Sequence, residues 1–145
     1  MPEELHPNVW WILIGTNDIY FGCSVDTIVA GNICIVQEIR RNQNDHQTLT
    51  PVVINSILPS GKGNLHSSES RYPFIQSINR RLNCYAQITH GVYFVNATDL
   101  MTETKEDGTY LKEGYFASDY LHPSPEGSRQ WEDLIVSNVM QLIGR

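Results

Sequence analysis

The chain has few cysteines, no long hydrophobic run and no cluster of positive charge. Its 145 residues include three cysteines, Cys23, Cys34 and Cys84, without a Cys-x-x-Cys pair. That spacing excludes a zinc ribbon or a thioredoxin-type site, and we expect buried free thiols instead. The longest strongly apolar run, Val9 to Ile14, is too short to span a bilayer.

Charge and histidine spacing exclude further classes of protein. The chain carries 10 Lys and Arg against 16 Asp and Glu, and its basic residues form only two doublets. A nucleic-acid surface needs clustered cations, so we expect no nucleic acid partner. The five histidines form no His-x-His or His-x-x-x-His pair, so no metal site is predicted. The acidic cluster around Gly108 favours a solvated turn over a calcium loop.

Apolar runs alternate with amphipathic stretches, a pattern typical of β-α units. The run Val9 to Ile14 is apolar on both strand faces, which predicts a buried parallel strand, and further strands are predicted near 51–57 and 92–95. Ser24 and Ser124 are suited to cap helices. We predict an α/β protein, a three-layer α/β/α sandwich with a parallel sheet of the flavodoxin-like type. The polar segment 59–70 is expected to be a mobile surface loop.

Parallel sheets bind ligands beyond the carboxyl ends of their strands, and Gly15-Thr16-Asn17-Asp18 directly follows the first predicted strand. The glycine permits a tight turn, and the Asn17 amide can donate to a developing oxyanion. The alternative interpretation is an ordinary turn at the end of a strand. The tetrapeptide is therefore a candidate oxyanion site only in combination with other groups.

Asp119 and His122 form a second candidate, in a segment that ends at Pro123. A bent loop can bring the carboxylate onto Nδ1 of the imidazole, which leaves Nε2 free as a base toward a serine hydroxyl. Pro123 disfavours helical geometry at His122, so the pair is predicted in a loop ahead of the last helix. The alternative is a histidine paired with an acid for structural reasons alone.

Together the two motifs resemble those of the SGNH/GDSL hydrolases, a superfamily of serine esterases, lipases and acetylhydrolases. The family's third block, whose asparagine supplies an oxyanion-hole side chain, is similar to VWWILIGTND here. Its fifth block, which carries the catalytic aspartate and histidine, is similar to DYLHPSPEG. The resemblance is strongest to the catalytic subunits of platelet-activating-factor acetylhydrolase, over PNVWWILIGTN, ILPSG, INRRLN and DYLHPSPEG.

The resemblance implies a role for each candidate residue. Asn17 would donate to the oxyanion, and Gly15 would shape the oxyanion loop. His122 would act as general base and acid, with Asp119 orienting it. The implied activity is ester hydrolysis by a Ser-His-Asp triad on a small-molecule ester, without a metal ion or cofactor.

One element of the family pattern is missing. The nucleophilic serine belongs to a Gly-Asp-Ser block, and this tripeptide occurs nowhere in the 145 residues. Ser24, within Gly22 to Asp26, approaches a Gly-x-Ser-x-Gly elbow but has Asp in the last position and no strand before it. We therefore expect residues 1–145 to be the C-terminal portion of a single hydrolase domain. It would lack the first one or two strands, and its serine would lie outside this chain.

Two further expectations follow from the missing block. The chain alone would be inactive, and the rival hypothesis is a non-catalytic fragment or degenerate hydrolase that serves as a binding or assembly module. The apolar strand Val9 to Ile14 would also expose an edge for pairing with a second copy, so a homo-oligomer is expected.

Overall fold

Three parallel strands form the centre of the protein in a computed structural model, which describes residues 7–43 and 49–144. The strands are β1 (Trp10–Ile12), β2 (Val52–Asn55) and β3 (Val92–Val95), in the spatial order β1-β2-β3. Trp10 aligns with Val52 in the register. This confirms the prediction of an α/β fold with a parallel sheet.

Helices cover both faces of this sheet. They are α1 (Thr16–Tyr20), α2 (Val25–Arg41), α3 (Tyr72–Gln87), α4 (Thr98–Met101) and α5 (Pro125–Ile143). Ile54 of β2 packs in one core cluster with α2 and α3. Its neighbour Asn55 points to the opposite face, where it accepts a hydrogen bond from Nε1 of Trp131 in α5 at 3.0 Å. The three-layer arrangement is therefore present.

The two predicted helix caps are also present. The Ser24 Oγ accepts a hydrogen bond from the Thr27 N–H, and the Ser124 Oγ accepts one from the Gly127 N–H, each at 3.1 Å. Both hydroxyls satisfy a backbone donor that the first turn of a helix leaves without a partner. Ser24 is thus a cap at the start of α2, as the sequence predicts.

An antiparallel hairpin lies between β3 and α5, where the sequence analysis predicts no strand. It consists of β4 (Thr102–Lys105) and β5 (Gly108–Leu111), joined by the two-residue turn at 106–107. The acidic cluster thus lies in and beside a turn, as expected. The strands themselves escaped prediction because they are short, polar and without an alternating apolar pattern.

The segment 59–70 contains no helix or strand, as expected. It is joined to the hairpin, since Leu65 is fully buried and its N–H donates to the Thr109 carbonyl at 2.7 Å, and its mobility stays a prediction. The expectation of buried thiols is wrong. The thiols of Cys34 and Cys84 are exposed rather than buried, and Cys23 is half-buried. Both exposed thiols lie on the solvent-facing sides of α2 and α3, a placement that cysteine composition does not reveal.

The last helix, α5, buries only part of its apolar surface. Trp131 and Leu134 pack against a small core cluster around Met101, whereas Val136, Met140 and Ile143 are exposed. None of the helices in the described part of the chain is long and apolar enough to cross a membrane.

Candidate active site

Three loops meet at the carboxyl end of the sheet and bring the candidate residues to one edge. Helix α1 follows β1, and its Tyr20 Oη donates to the Ser60 Oγ in the loop after β2 at 3.3 Å. In that same loop the Gly61 N–H donates to the carbonyl of Tyr120 at 3.0 Å. The loop after β2 therefore connects α1, which carries Asn17, to the segment that contains Asp119 and His122.

Gly15 starts α1 in a conformation that favours glycine. Its φ is +122°, and it is buried. A Cβ at this position would lie 2.7 Å from Cγ2 of Ile28 and 2.9 Å from Cδ1 of Ile57. The tight turn predicted at the end of β1 is therefore required by both backbone geometry and packing.

We expect Gly15→Ala to lower the free energy of unfolding by roughly 2–4 kcal/mol, because it adds a steric overlap to an unfavourable φ. The measurement is urea unfolding followed by circular dichroism. Gly31→Ala is the matched control, because an added Cβ there meets nothing within 4 Å and alanine favours a helix interior by about 0.5–1 kcal/mol. Equal effects of the two substitutions would contradict this account of Gly15.

Asn17 lies in the first turn of α1, and its side chain is exposed. Its backbone carbonyl accepts a hydrogen bond from the Phe21 N–H at 2.9 Å. The backbone of Asn17 is therefore bonded within the helix, whereas its side-chain amide faces the surface. The side chain is thus placed where it could donate to a ligand at the carboxyl edge. Its role as an oxyanion donor stays a prediction.

Asp119 and His122 are in direct contact. Nδ1 of His122 lies 2.6 Å from Oδ2 of Asp119. The other carboxylate oxygen, Oδ1, accepts the backbone N–H groups of Leu121 at 2.9 Å and His122 at 3.0 Å. Tyr120, between them, has a φ of +55°, so the chain makes a tight bend that folds the imidazole back onto the acid. The contact predicted from the sequence is present.

This contact fixes the protonation pattern of the pair. Hydrogen bonds from the His122 side chain, and then from the His122 and Leu121 N–H groups, lower the pKa of Asp119 from 3.8 to about 2. An ionised carboxylate only accepts hydrogen bonds, so Nδ1 of His122 is the donor in this contact and Nε2 is the ring nitrogen that the contact leaves free. The His122 side chain is 74% exposed, which leaves Nε2 accessible to an incoming hydroxyl.

The lowered pKa of Asp119 predicts an acid-sensitive contact. Because its folded pKa lies below the ordinary value, the stabilisation from this contact is present above about pH 4. It is lost as the pH falls toward 2. His122→Ala should raise the pKa of Asp119 toward 3.8, but only in part, since the two backbone donors remain. A ¹³C carboxyl NMR titration measures both values, and an unchanged Asp119 pKa in the variant would contradict the assigned cause.

Two buried asparagines that the sequence analysis did not select support the site. Asn79 of α3 clamps the loop after β2, because its Oδ1 accepts the Ile57 N–H at 2.7 Å and its Nδ2 donates to the Ile57 carbonyl at 2.9 Å. Asn32 of α2 donates to the carbonyl of Ile14, next to Gly15, at 3.2 Å. The sequence does indicate such residues, since each asparagine is a polar residue on an otherwise apolar helix face.

Among the described residues, no three His, Cys, Asp or Glu side chains are close enough to hold a metal ion. The site as described thus consists of an acid–imidazole pair and an exposed amide on neighbouring loops.

An α/β/α fold with an Asp–His pair and an asparagine at the carboxyl edge of its sheet is the arrangement expected of an SGNH-type protein. Residues 1–130 match the model of the GDSL-like lipase/acylhydrolase family, and this range includes every candidate site residue. The chain therefore belongs to that family. A search of curated protein sequences found no match.

Solved structures agree with this assignment. A protein from Streptococcus pneumoniae, described as a "putative platelet activating factor", is 27% identical with a TM-score of 0.73 over 90% of this chain and 59% of its own. A GDSL-like lipase from Bacteroides thetaiotaomicron is 25% identical with a TM-score of 0.74, over 93% of this chain and 63% of its own. A "putative acylhydrolase" from Bacteroides fragilis is 25% identical, with a TM-score of 0.76 over 94% and 63%. The chain thus spans about three fifths of the length of these relatives.

Proposed function

We propose that this chain supplies the acid, the base and one oxyanion donor of a serine ester hydrolase that acts on small-molecule esters. The observation that carries the proposal is the 2.6 Å contact between Asp119 and His122, with the imidazole otherwise exposed. The family membership of residues 1–130 supports it. Further support comes from two hydrogen bonds, one from Tyr20 of α1 to Ser60 and one from the Gly61 N–H to the Tyr120 carbonyl, which join the helix that carries Asn17 to the segment of the Asp–His pair.

The proposed mechanism is acyl transfer through a serine. Nε2 of His122 takes the serine proton as the serine oxygen attacks the ester carbonyl carbon, and Asp119 stabilises the resulting imidazolium. The amide of Asn17 donates to the oxygen that becomes negative in the tetrahedral intermediate. His122 then protonates the departing alcohol, and a water molecule activated by the same nitrogen releases the acid.

The nucleophilic serine is proposed to come from outside these 145 residues. No Gly-Asp-Ser tripeptide occurs in the chain, and Ser24 is engaged in capping α2. Residues 1–145 would then be the C-terminal portion of one hydrolase domain. The same missing tripeptide favours a second candidate function, a degenerate family member that binds a ligand or assembles with a partner without turnover.

The experiment that separates the two compares the chain alone with a fusion. A Gly-Asp-Ser-bearing β-α segment from a family member is placed ahead of residue 1, and hydrolysis of p-nitrophenyl acetate is followed. The hydrolase proposal expects no appreciable turnover by the chain alone and turnover by the fusion. Activity should be lost when the serine of the added segment is replaced by alanine. A folded fusion without turnover would favour the non-catalytic module, and activity of the chain alone would show that its serine lies within the 145 residues.

A further inference from the structure

A cavity of about 260 Å³ opens beside the candidate site. Tyr20, one helical turn after Asn17, contributes to its wall together with Ser60 and Gly61 of the loop after β2. The N–H of Gly61 is bonded to the carbonyl of Tyr120. The cavity therefore borders both α1 and the loop that is joined to the Asp–His segment.

Two cationic side chains line this cavity, and aromatic rings hold them in place. The Arg71 guanidinium lies 4.2 Å from the centroid of the Tyr20 ring. The ammonium of Lys62 lies 5.9 Å from the centroid of the Tyr120 ring. Contact with a ring face positions a cation without neutralising its charge, and it leaves the N–H groups free for hydrogen bonds.

Carboxylates of the described residues do not neutralise these two cations. The ion pairs in that part of the chain involve other basic residues, at positions 41, 81, 105, 122 and 129. Glu69 also lines the cavity, but it forms no ion pair with Lys62 or Arg71. Among the residues that the structure describes, a chain with a net charge of −6 thus has two positive charges without an ion-pair partner at one edge of its candidate site.

The cavity also offers a hydroxyl donor. Ser60 is only 4% exposed, and its Oγ accepts a hydrogen bond from the Tyr20 hydroxyl. Its own hydroxyl proton is therefore available to a ligand. A planar guanidinium, an ammonium and a hydroxyl are the donors that bind carboxylate and phosphate groups.

We propose that this cavity is a subsite for an anionic group, a carboxylate or a phosphate, carried by the ester substrate. The proposal rests on the proposed function, because the ester itself would lie at Asn17 and His122. Its physical basis is local. The negative net charge of the protein opposes the approach of an anion, and Lys62 and Arg71 counter that repulsion at the edge where the ester would react.

Ligand-observed NMR at low salt tests the subsite on the chain as it exists, without the need for turnover. The probes are monomethyl glutarate for the carboxylate, inorganic phosphate for the phosphate, and the neutral dimethyl glutarate as reference. We expect at least one anion to bind about fivefold or more tightly than the neutral diester. Arg71→Gln should weaken that binding about tenfold, Lys62→Gln less, and Arg71→Lys least, because charge-assisted hydrogen bonds are lost in that order.

Arg41→Gln is the matched control, since it removes the same charge from an exposed residue at the far end of α2. Equal weakening by Arg41→Gln and Arg71→Gln would overturn the subsite, as would equal binding of the neutral diester or no binding of either anion. Circular dichroism verifies that each variant is folded. Binding is measured without turnover, so a failure of the hydrolase proposal is seen in the activity of the fusion and a failure of the subsite is seen in anion binding. The anion whose binding depends on Arg71 identifies carboxylate or phosphate as the ligand chemistry.

Discussion

Replacing His122 with alanine in the serine-bearing fusion should lower kcat for p-nitrophenyl acetate by more than about a thousandfold. The loss is large because the serine is then left without a base, and the members of such a triad act as a unit. Asp119→Asn should also cause a large loss, because an amide that donates to Nδ1 favours the tautomer with its proton on Nε2, and that nitrogen can then no longer act as the base. Initial rates at saturating substrate measure both effects.

His90→Ala provides the matched control for this prediction. His90 is exposed and precedes β3, at the amino end of the sheet and away from the candidate site. The Arg40 guanidinium contacts only the backbone carbonyl of this residue, which the substitution retains. We expect an unchanged kcat. A His122→Ala variant that keeps most of its activity, or a His90→Ala variant that loses it, would refute the role assigned to His122.

The 145-residue chain by itself should self-associate through β1. Within the described residues, β1 pairs with β2 alone, and Trp10 and Ile14 are 40% and 36% exposed. The indole N–H of Trp11 is buried without an acceptor among the same residues. An apolar strand with a free edge is a template for pairing with a second copy, so we expect a dimer or larger assembly by light scattering.

A proline at the outer side of β1 tests this expectation. The Trp10 N–H donates across the sheet to the Pro51 carbonyl at 2.9 Å, so the N–H of its neighbour Val9 points away from β2. Val9→Pro removes that outward donor and should shift the chain toward monomer, whereas Val9→Ala should not. The fusion with the added Gly-Asp-Ser segment should give a single oligomeric state in light scattering, because that segment would cover the free edge of β1. If the chain is instead a stable monomer with blue-shifted tryptophan emission and cooperative unfolding, then the 145 residues form a complete hydrophobic core and the prediction of self-association is wrong.

The sequence by itself determined the features that depend on neighbours along the chain. The contact between Asp119 and His122 was predictable because three positions and a following proline leave the pair in a tight loop. The caps at Ser24 and Ser124 were predictable for the same reason, since each hydroxyl accepts a hydrogen bond from a backbone N–H only three residues later. The parallel strands were predictable because each run is apolar or aromatic on both faces, but burial followed only for β2, since β1 and β3 each leave a side chain exposed.

Only the tertiary structure decided which distant groups meet. The Asn79 clamp joins residues 22 positions apart, and the bond from Tyr20 to Ser60 spans 40 positions. Such contacts depend on strand register and helix packing, which a local pattern does not encode. The cationic cavity beside Arg71 was invisible for the same reason, since its residues come from α1 and from the segment between β2 and α3. Most of its side chains are polar and form no recognisable motif in the sequence. They lie close together only because the parallel sheet brings the ends of its strands to one edge.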